Sequence, residues 1–146
     1  MRRIALCLTV CWTALQLQAT ELMWRTSLPD ALAQAKKENK QVLLNFTGSD
    51  WCPGCKLLEA GVFSKTEFSD YAQKNLVLVQ VDFPAQKPQS AELKAANQAL
   101  QEKYGVHGYP TLVVLNADGK IVWQHEGYLA GGPGTMIAKL DKAKSK

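Results

Sequence analysis

Residues 41–47 form a short apolar run interrupted by Asn45, and residues 76–83 form a second, with Leu76, Val77, Leu78, Val79 and Val81 broken by Gln80 and Asp82. Residues 111–115 make a third. Runs of this length, bounded by turn formers, read as buried strands. Between them the period changes. Leu93, Ala96, Leu100 and Tyr104 recur every three or four positions, one face of a helix, which Gly105 and Gly108 close. Residues 31–40 supply strong helix formers, preceded by a cap candidate at Ser27 and an early proline at Pro29. Ser64-Lys65-Thr66-Glu67 matches a capping box and predicts another short helix through Phe68 and Tyr71. Trp24 and its neighbours read as a short lead-in strand. Asp118-Gly119 predicts a two-residue hairpin joining 111–115 to 121–123. Residues 131–134, glycine-rich, lead into a last helix carrying Met136, Ile137 and Leu140, whose lysine-rich end suits the negative end of its dipole.

Strands that alternate with helices imply parallel pairing through crossovers, and the hairpin adds an antiparallel edge. The expected fold class is α/β, a mixed central sheet flanked by helices on both faces. At 146 residues, 47% hydrophobic and 21% charged, the chain has the composition of one ordinary globular domain plus a small extra.

The extra lies at the start. Arg2 and Arg3 precede residues 4–17, which carry no charge, and the small Ala19 follows. This is the pattern of a secretory signal peptide over residues 1–19 with a cut after Ala19, leaving a domain over 20–146 and an exported, most simply periplasmic, protein. A membrane anchor is the alternative, but 14 uncharged residues fall short of the roughly 20 that a spanning helix needs. A lipoprotein reading through Cys11 is weaker, because Val10 is larger than the residue that pattern wants before its cysteine. The net charge of +4 then drops, since losing Arg2 and Arg3 leaves 15 basic against 13 acidic residues, a net of +2. That excludes the clustered basic face of a nucleic-acid binder.

Cysteine usage sharpens the picture. Cys7 and Cys11 fall in the leader, so the exported domain keeps Cys52 and Cys55, and an oxidising compartment favours their pairing. A C-x-x-C element placed where a buried strand meets a helix puts its first sulfur at unpaired backbone N–H groups and at the positive end of the helix dipole. Both favour thiolate over thiol at Cys52. Cys55, one turn further in, would be the more buried and placed to attack a mixed disulfide on Cys52. Pro53 suits the first helical turn, where its missing N–H costs nothing. Two plainer roles compete with redox work. A static staple closing so short a loop contributes only about 2 kcal/mol. Half of a zinc site would need partners, and His107 and His125, the two histidines, fit no common ligand spacing.

Residues 42–46, Trp51-Cys52-Pro53-Gly54-Cys55-Lys56 and Gly108-Tyr109-Pro110-Thr111 together resemble the thioredoxin family, and more closely its exported members related to periplasmic thiol–disulfide interchange proteins. The likeness runs from about Trp24 to the C-terminus. It implies a thioredoxin fold and a thiol–disulfide oxidoreductase in which Cys52 attacks and Cys55 resolves, with no metal or organic cofactor. A shift of the size seen in thioredoxin, from about 8.5 to about 7, raises the thiolate fraction at pH 7 from roughly 3% to roughly 50%. The resemblance also implies a cis Tyr109–Pro110 bond, with the backbone there pairing with an extended substrate segment. Trp51 would shape the edge of that substrate-binding site beside Tyr109 and Pro110. The implied partners are protein thiols and disulfides, together with a membrane or soluble redox protein that recycles the pair.

Two departures from the family pattern stand out. Pro53-Gly54 replaces the familiar Gly-Pro between the cysteines, and that dipeptide tunes the redox potential, so the direction of exchange is open. The family's buried acid would align near Asn45, which cannot exchange a proton; Asp50, a water or the substrate would take that task, although Asp50 also reads as a plain turn residue. Trp24 and Trp123 read as core or half-buried sheet residues, and His107 as an exposed loop residue. The rival reading from another class is a binding module that uses the same fold to hold a peptide or an unfolded chain without redox chemistry.

Overall fold

Strand β2 (Gln41–Thr47) is buried at every position. Such a strand needs cover on both faces, and the rest of the chain supplies it. The computed structural model describes residues 21–145; the expected signal peptide over 1–19, with Cys7 and Cys11, lies outside the described residues. The order is β1 (Trp24–Arg25), α1 (Leu28–Glu38), β2, α2 (Pro53–Leu58) running into a π-helical turn (Glu59–Phe63), α3 (Thr66–Asn75), β3 (Leu76–Asp82), α4 (Ala91–Lys103), β4 (Thr111–Leu115), β5 (Ile121–Glu126) and α5 (Gly132–Lys144).

The five strands lie in the order β1-β3-β2-β4-β5. β1 and β2 run parallel to β3, whereas β4 runs antiparallel to β2 and to β5. Alternation along each strand splits the core in two. Val42, Leu44 and Phe46 join Val79 and Val113 on the face covered by α1 and α4. Leu43 joins Leu78, Leu112 and Val114 on the other, where Leu58, Phe68, Met136 and Leu140 bring in α2, α3 and α5. The expected mixed sheet with helices on both faces is what forms.

Local signals held unevenly. Ser27 caps α1, accepting from the Asp30 amide at 3.4 Å, and Asn39 ends that helix in the left-handed region at φ 53°. The capping box does not form: Lys65 is the N-cap of α3 and no side chain caps it. Ser64 instead terminates the π-helical turn and donates its hydroxyl to Glu59 at 3.3 Å, because that turn carries the preceding helix further than an α-helical count allows. The Asp118-Gly119 hairpin is also longer than expected. Leu115 pairs with Ile121, leaving residues 116–120 as the loop. Asn116 Oδ1 accepts from the amides of Asp118 and Lys120, both at 3.0 Å, and this side-chain-built turn takes the place of the two-residue one. Gly119 sits in it at φ 80°.

Candidate active site

At the end of β2 the chain turns sharply. Gly48 accepts through its carbonyl from the amides of Trp51 at 3.2 Å and Cys52 at 2.9 Å. The Trp51 indole folds back over Gly48 so closely that a Cβ there would lie 2.6 Å from Nε1, so this position needs glycine. Cys52 is then the N-cap of α2, in extended backbone, with Pro53 in the first turn. Its Sγ accepts from the Cys55 amide at 3.2 Å, the position where a serine or aspartate cap would place its oxygen. A backbone N–H aimed at sulfur and a helix start behind it both favour charge on Cys52.

Cys52 and Cys55 form a disulfide with their Cα atoms 5.3 Å apart. The expected contrast in depth is absent: Cys52 is 4% exposed and Cys55 6%. The Tyr109–Pro110 bond is cis, as expected, and Pro110 is brought against α2, with its Cδ 3.2 Å from where a Cβ would stand on Gly54. Cys55 instead faces a polar cavity of about 230 Å³. Gly54 therefore has a steric role alongside any tuning of potential, since it lets the proline loop approach the helix.

The position of the missing acid lies on that cavity. Its wall includes Asn45, Thr47, Cys55, Lys56, Glu59 and Gln80. Asn45, expected to stand in for the family's acid, is 6% exposed, and its Oδ1 has no hydrogen-bond partner within the protein. Glu59, one turn beyond Cys55, brings a carboxylate to the same wall. Asp50 does not take part. Its carboxylate accepts from the amides of Ala85, Gln86 and Lys87 at 2.9, 2.8 and 3.0 Å, and these bonds hold its pKa down to about 2. A group that acidic is no proton acceptor for a thiol.

Around the disulfide, Trp51 is 48% exposed and meets the Tyr109 ring edge-to-face at 5.9 Å. Phe83 stacks on Tyr109 at 5.2 Å. Tyr128 is 43% exposed and packs its Cβ and hydroxyl near Gly54 and Gly61. The structure thus gathers Trp51, Cys52, Pro53, Gly54, Cys55, Tyr109 and Pro110 into one site. Sequence reasoning missed Glu59, Phe83 and Tyr128. Glu59 was findable as the residue one turn past Cys55; the other two are brought in by loops. His107 is exposed and His125 stacks on Trp123 at 5.8 Å, neither beside the cysteines. Among the described residues no three His, Cys, Asp or Glu side chains group as a metal site. A larger cavity of about 460 Å³ near Trp24, Phe63 and Thr66 has no cysteine in its wall.

Comparison with known proteins agrees with this geometry. A thioredoxin-like domain model matches residues 28–144. The disulfide bond reductase DsbH of Chlamydia pneumoniae is 36% identical over 125 residues, covering 86% of this chain and 74% of that protein. The thiol:disulfide interchange protein DsbD of Vibrio cholerae is 35% identical over 107 residues, 73% of this chain but only 16% of DsbD. A solved DsbH oxidoreductase superposes with a TM-score of 0.80 at 35% identity, covering 86% of each chain. The reduced C-terminal domain of Neisseria meningitidis DsbD gives 0.59 at 27% identity, covering 80% of this chain and 93% of that one.

Proposed function

This chain belongs to the thioredoxin-like family, and we propose that within it the protein works as a disulfide reductase of exported proteins, with Cys52 as nucleophile and Cys55 as resolving thiol. That it is a thiol–disulfide oxidoreductase follows from the family and from its likeness to DsbH and DsbD. The observation that carries the assignment of roles is the Cys52–Cys55 disulfide seated at the start of α2, with a backbone amide on the Cys52 sulfur and the cis-proline loop beside it. The reductive direction rests on the likeness to a protein named a disulfide bond reductase.

In the forward step the Cys52 thiolate attacks one sulfur of a substrate disulfide, and the other leaves as a thiolate that takes a proton. The mixed disulfide then holds substrate to Cys52. Cys55 loses its proton to the cavity, where Glu59 and any water it contains are the available acceptors, and its thiolate attacks the Cys52 sulfur. The second substrate thiol departs, and the protein is left with the disulfide seen here. Two electrons have passed to substrate, so a dithiol protein must reduce the pair before another cycle. Trp51, Tyr109 and Pro110 would receive an extended substrate segment, and Pro53 with Gly54 would set the potential. The basic, apolar leader supports an exported location. No helix among the described residues is long and apolar enough to cross a membrane.

Reduction of insulin with a dithiol donor tests the reading, together with trapping of covalent partners by Cys55→Ser. Wild type should reduce insulin, and Cys55→Ser should accumulate mixed disulfides. If wild type reduces nothing and the variant traps nothing, the fold is being used as a binding module instead.

A further inference from the structure

Residues 84–90 leave β3 as a polar, proline-marked connection, and residues 85–88 are exposed. An exposed connection of this composition is normally free to move, yet residues 85–87 of this one are tied to the active-site turn. The Phe83 amide donates to Thr47 at 2.8 Å, and the Trp51 indole N–H donates to the Phe83 carbonyl at 2.8 Å. The Ser49 amide and hydroxyl donate to the Asp82 carboxylate at 3.0 and 2.6 Å, and Lys87 Nζ donates to the Ser49 hydroxyl at 3.1 Å. Asp50 closes the set by taking three consecutive amides with its two oxygens. Every side chain from Ser49 to Trp51, the three residues before Cys52, bonds to the end of β3 or to the connection after it.

The consequence lies at the substrate edge. Phe83 opens the tied segment, and its ring stacks on Tyr109 with the planes 29° apart; Trp51 meets the same ring edge-on at 84°. Tyr109, directly before cis Pro110, is therefore in ring contact with Trp51 of the active-site turn and with Phe83 at the start of the tied segment. We propose that Asp50 is a positioning residue for protein substrates: by fastening residues 85–87 to the active-site turn, it fixes the Phe83–Tyr109–Trp51 wall against which a substrate chain docks. The proposal rests on the oxidoreductase reading and adds to it a division of labour. The disulfide does the chemistry, and the Asp50 clasp sets the surface that a polypeptide sees.

The chemistry of the clasp indicates how to break it. A carboxylate offers acceptors on both oxygens to three N–H donors, whereas an asparagine amide offers one oxygen and turns an NH₂ group toward the remaining donor. Asp50→Asn should release the connection without removing bulk. Gln86→Pro deletes one of the three donors from the opposite side and leaves the turn before Cys52 untouched. Both variants are compared with wild type for kcat and KM on insulin, for the rate on the small disulfide bis(2-hydroxyethyl) disulfide, and for the pH profile of Cys52 alkylation. Removing a pre-organised docking surface should raise KM for insulin about five- to tenfold for Asp50→Asn and less for Gln86→Pro, with kcat little changed. The small-disulfide rate should stay within about twofold, because that substrate makes no use of the wall. The alkylation profile should not move.

An unchanged insulin KM in both variants overturns the proposal. So does a parallel fall on both substrates, or a displaced alkylation profile, since either would mean that Asp50 acts on the sulfur. A wild-type protein inactive on both disulfides would overturn the oxidoreductase reading itself, and this proposal with it.

Discussion

Asn45→Asp places a carboxylate at the 6%-exposed position on the cavity wall that Cys55 shares. The wall is polar, so the charge is not sealed in apolar packing, but it has lost most of its bulk water. Desolvation of that degree should raise the new acid by about 2 units, short of the 3–5 units found for fully buried groups. Each unit corresponds to about 1.36 kcal/mol, so ionising the introduced carboxyl should cost about 2.7 kcal/mol of stability at neutral pH. The sign follows from linkage. The folded state holds this proton more tightly than the unfolded chain, so the variant should match wild type below about pH 4 and lose stability as pH rises, with the deficit complete above about pH 6. Urea unfolding of the oxidised proteins measures this cleanly, because neither cysteine titrates there and all other groups are shared. With an m-value of about 1–3 kcal/mol/M, the midpoint should fall by roughly 1–3 M at pH 7 and hardly at all at pH 3.5. A difference that stays flat with pH would refute the placement of residue 45 in a desolvated wall. The reduced variant should also resolve mixed disulfides faster at neutral pH, the one gain from restoring an acid beside Cys55.

Three further outcomes are expected. Asp50, whose pKa the three amides lower to about 2, contributes stability that is fully present above its unfolded value of about 3.9 and lost as pH falls through about 2; the wild-type advantage over Asp50→Asn in thermal unfolding should fade over that window. Phe68 is fully buried against Phe63 at a ring separation of 5.1 Å, so Phe68→Ala should lose about 3–5 kcal/mol in urea unfolding. Reducing the Cys52–Cys55 bond should lower stability by no more than about 2 kcal/mol, since a four-residue loop restricts the unfolded chain little; a loss of twice that would assign the bond a structural role.

Much of this fold is legible from local pattern. The strand runs at 41–47, 76–82 and 111–115 were legible as mostly apolar stretches, despite Asn45, Gln80 and Asp82, because each is largely buried on both faces. The cysteine pair was legible from its spacing at a strand–helix junction, whereas cis Pro110 was legible only through the resemblance to the thioredoxin family. What stayed hidden depends on contacts far apart in sequence. Phe83 reads as the end of a strand, and nothing local says that it stacks on Tyr109, 26 positions later. Asp50 reads as a turn former until its donors at 85–87 are seen, 35 to 37 positions away. Ser64 misled for the opposite reason. Its local signal was sound, but the π-helical turn before it set the chain's phase and gave the hydroxyl another partner.

Thiol–disulfide exchange here depends on the ionisation of one sulfur, and the rate of iodoacetamide alkylation of the reduced protein against pH reads it directly. Cys52 should be modified with a midpoint well below the free-thiol value of about 8.5, and Cys55 should stay unmodified until Cys52 is blocked or the protein unfolds. A midpoint at or above about 8.5, or labelling that reaches Cys55 first, would contradict the assignment of Cys52 as the attacking group.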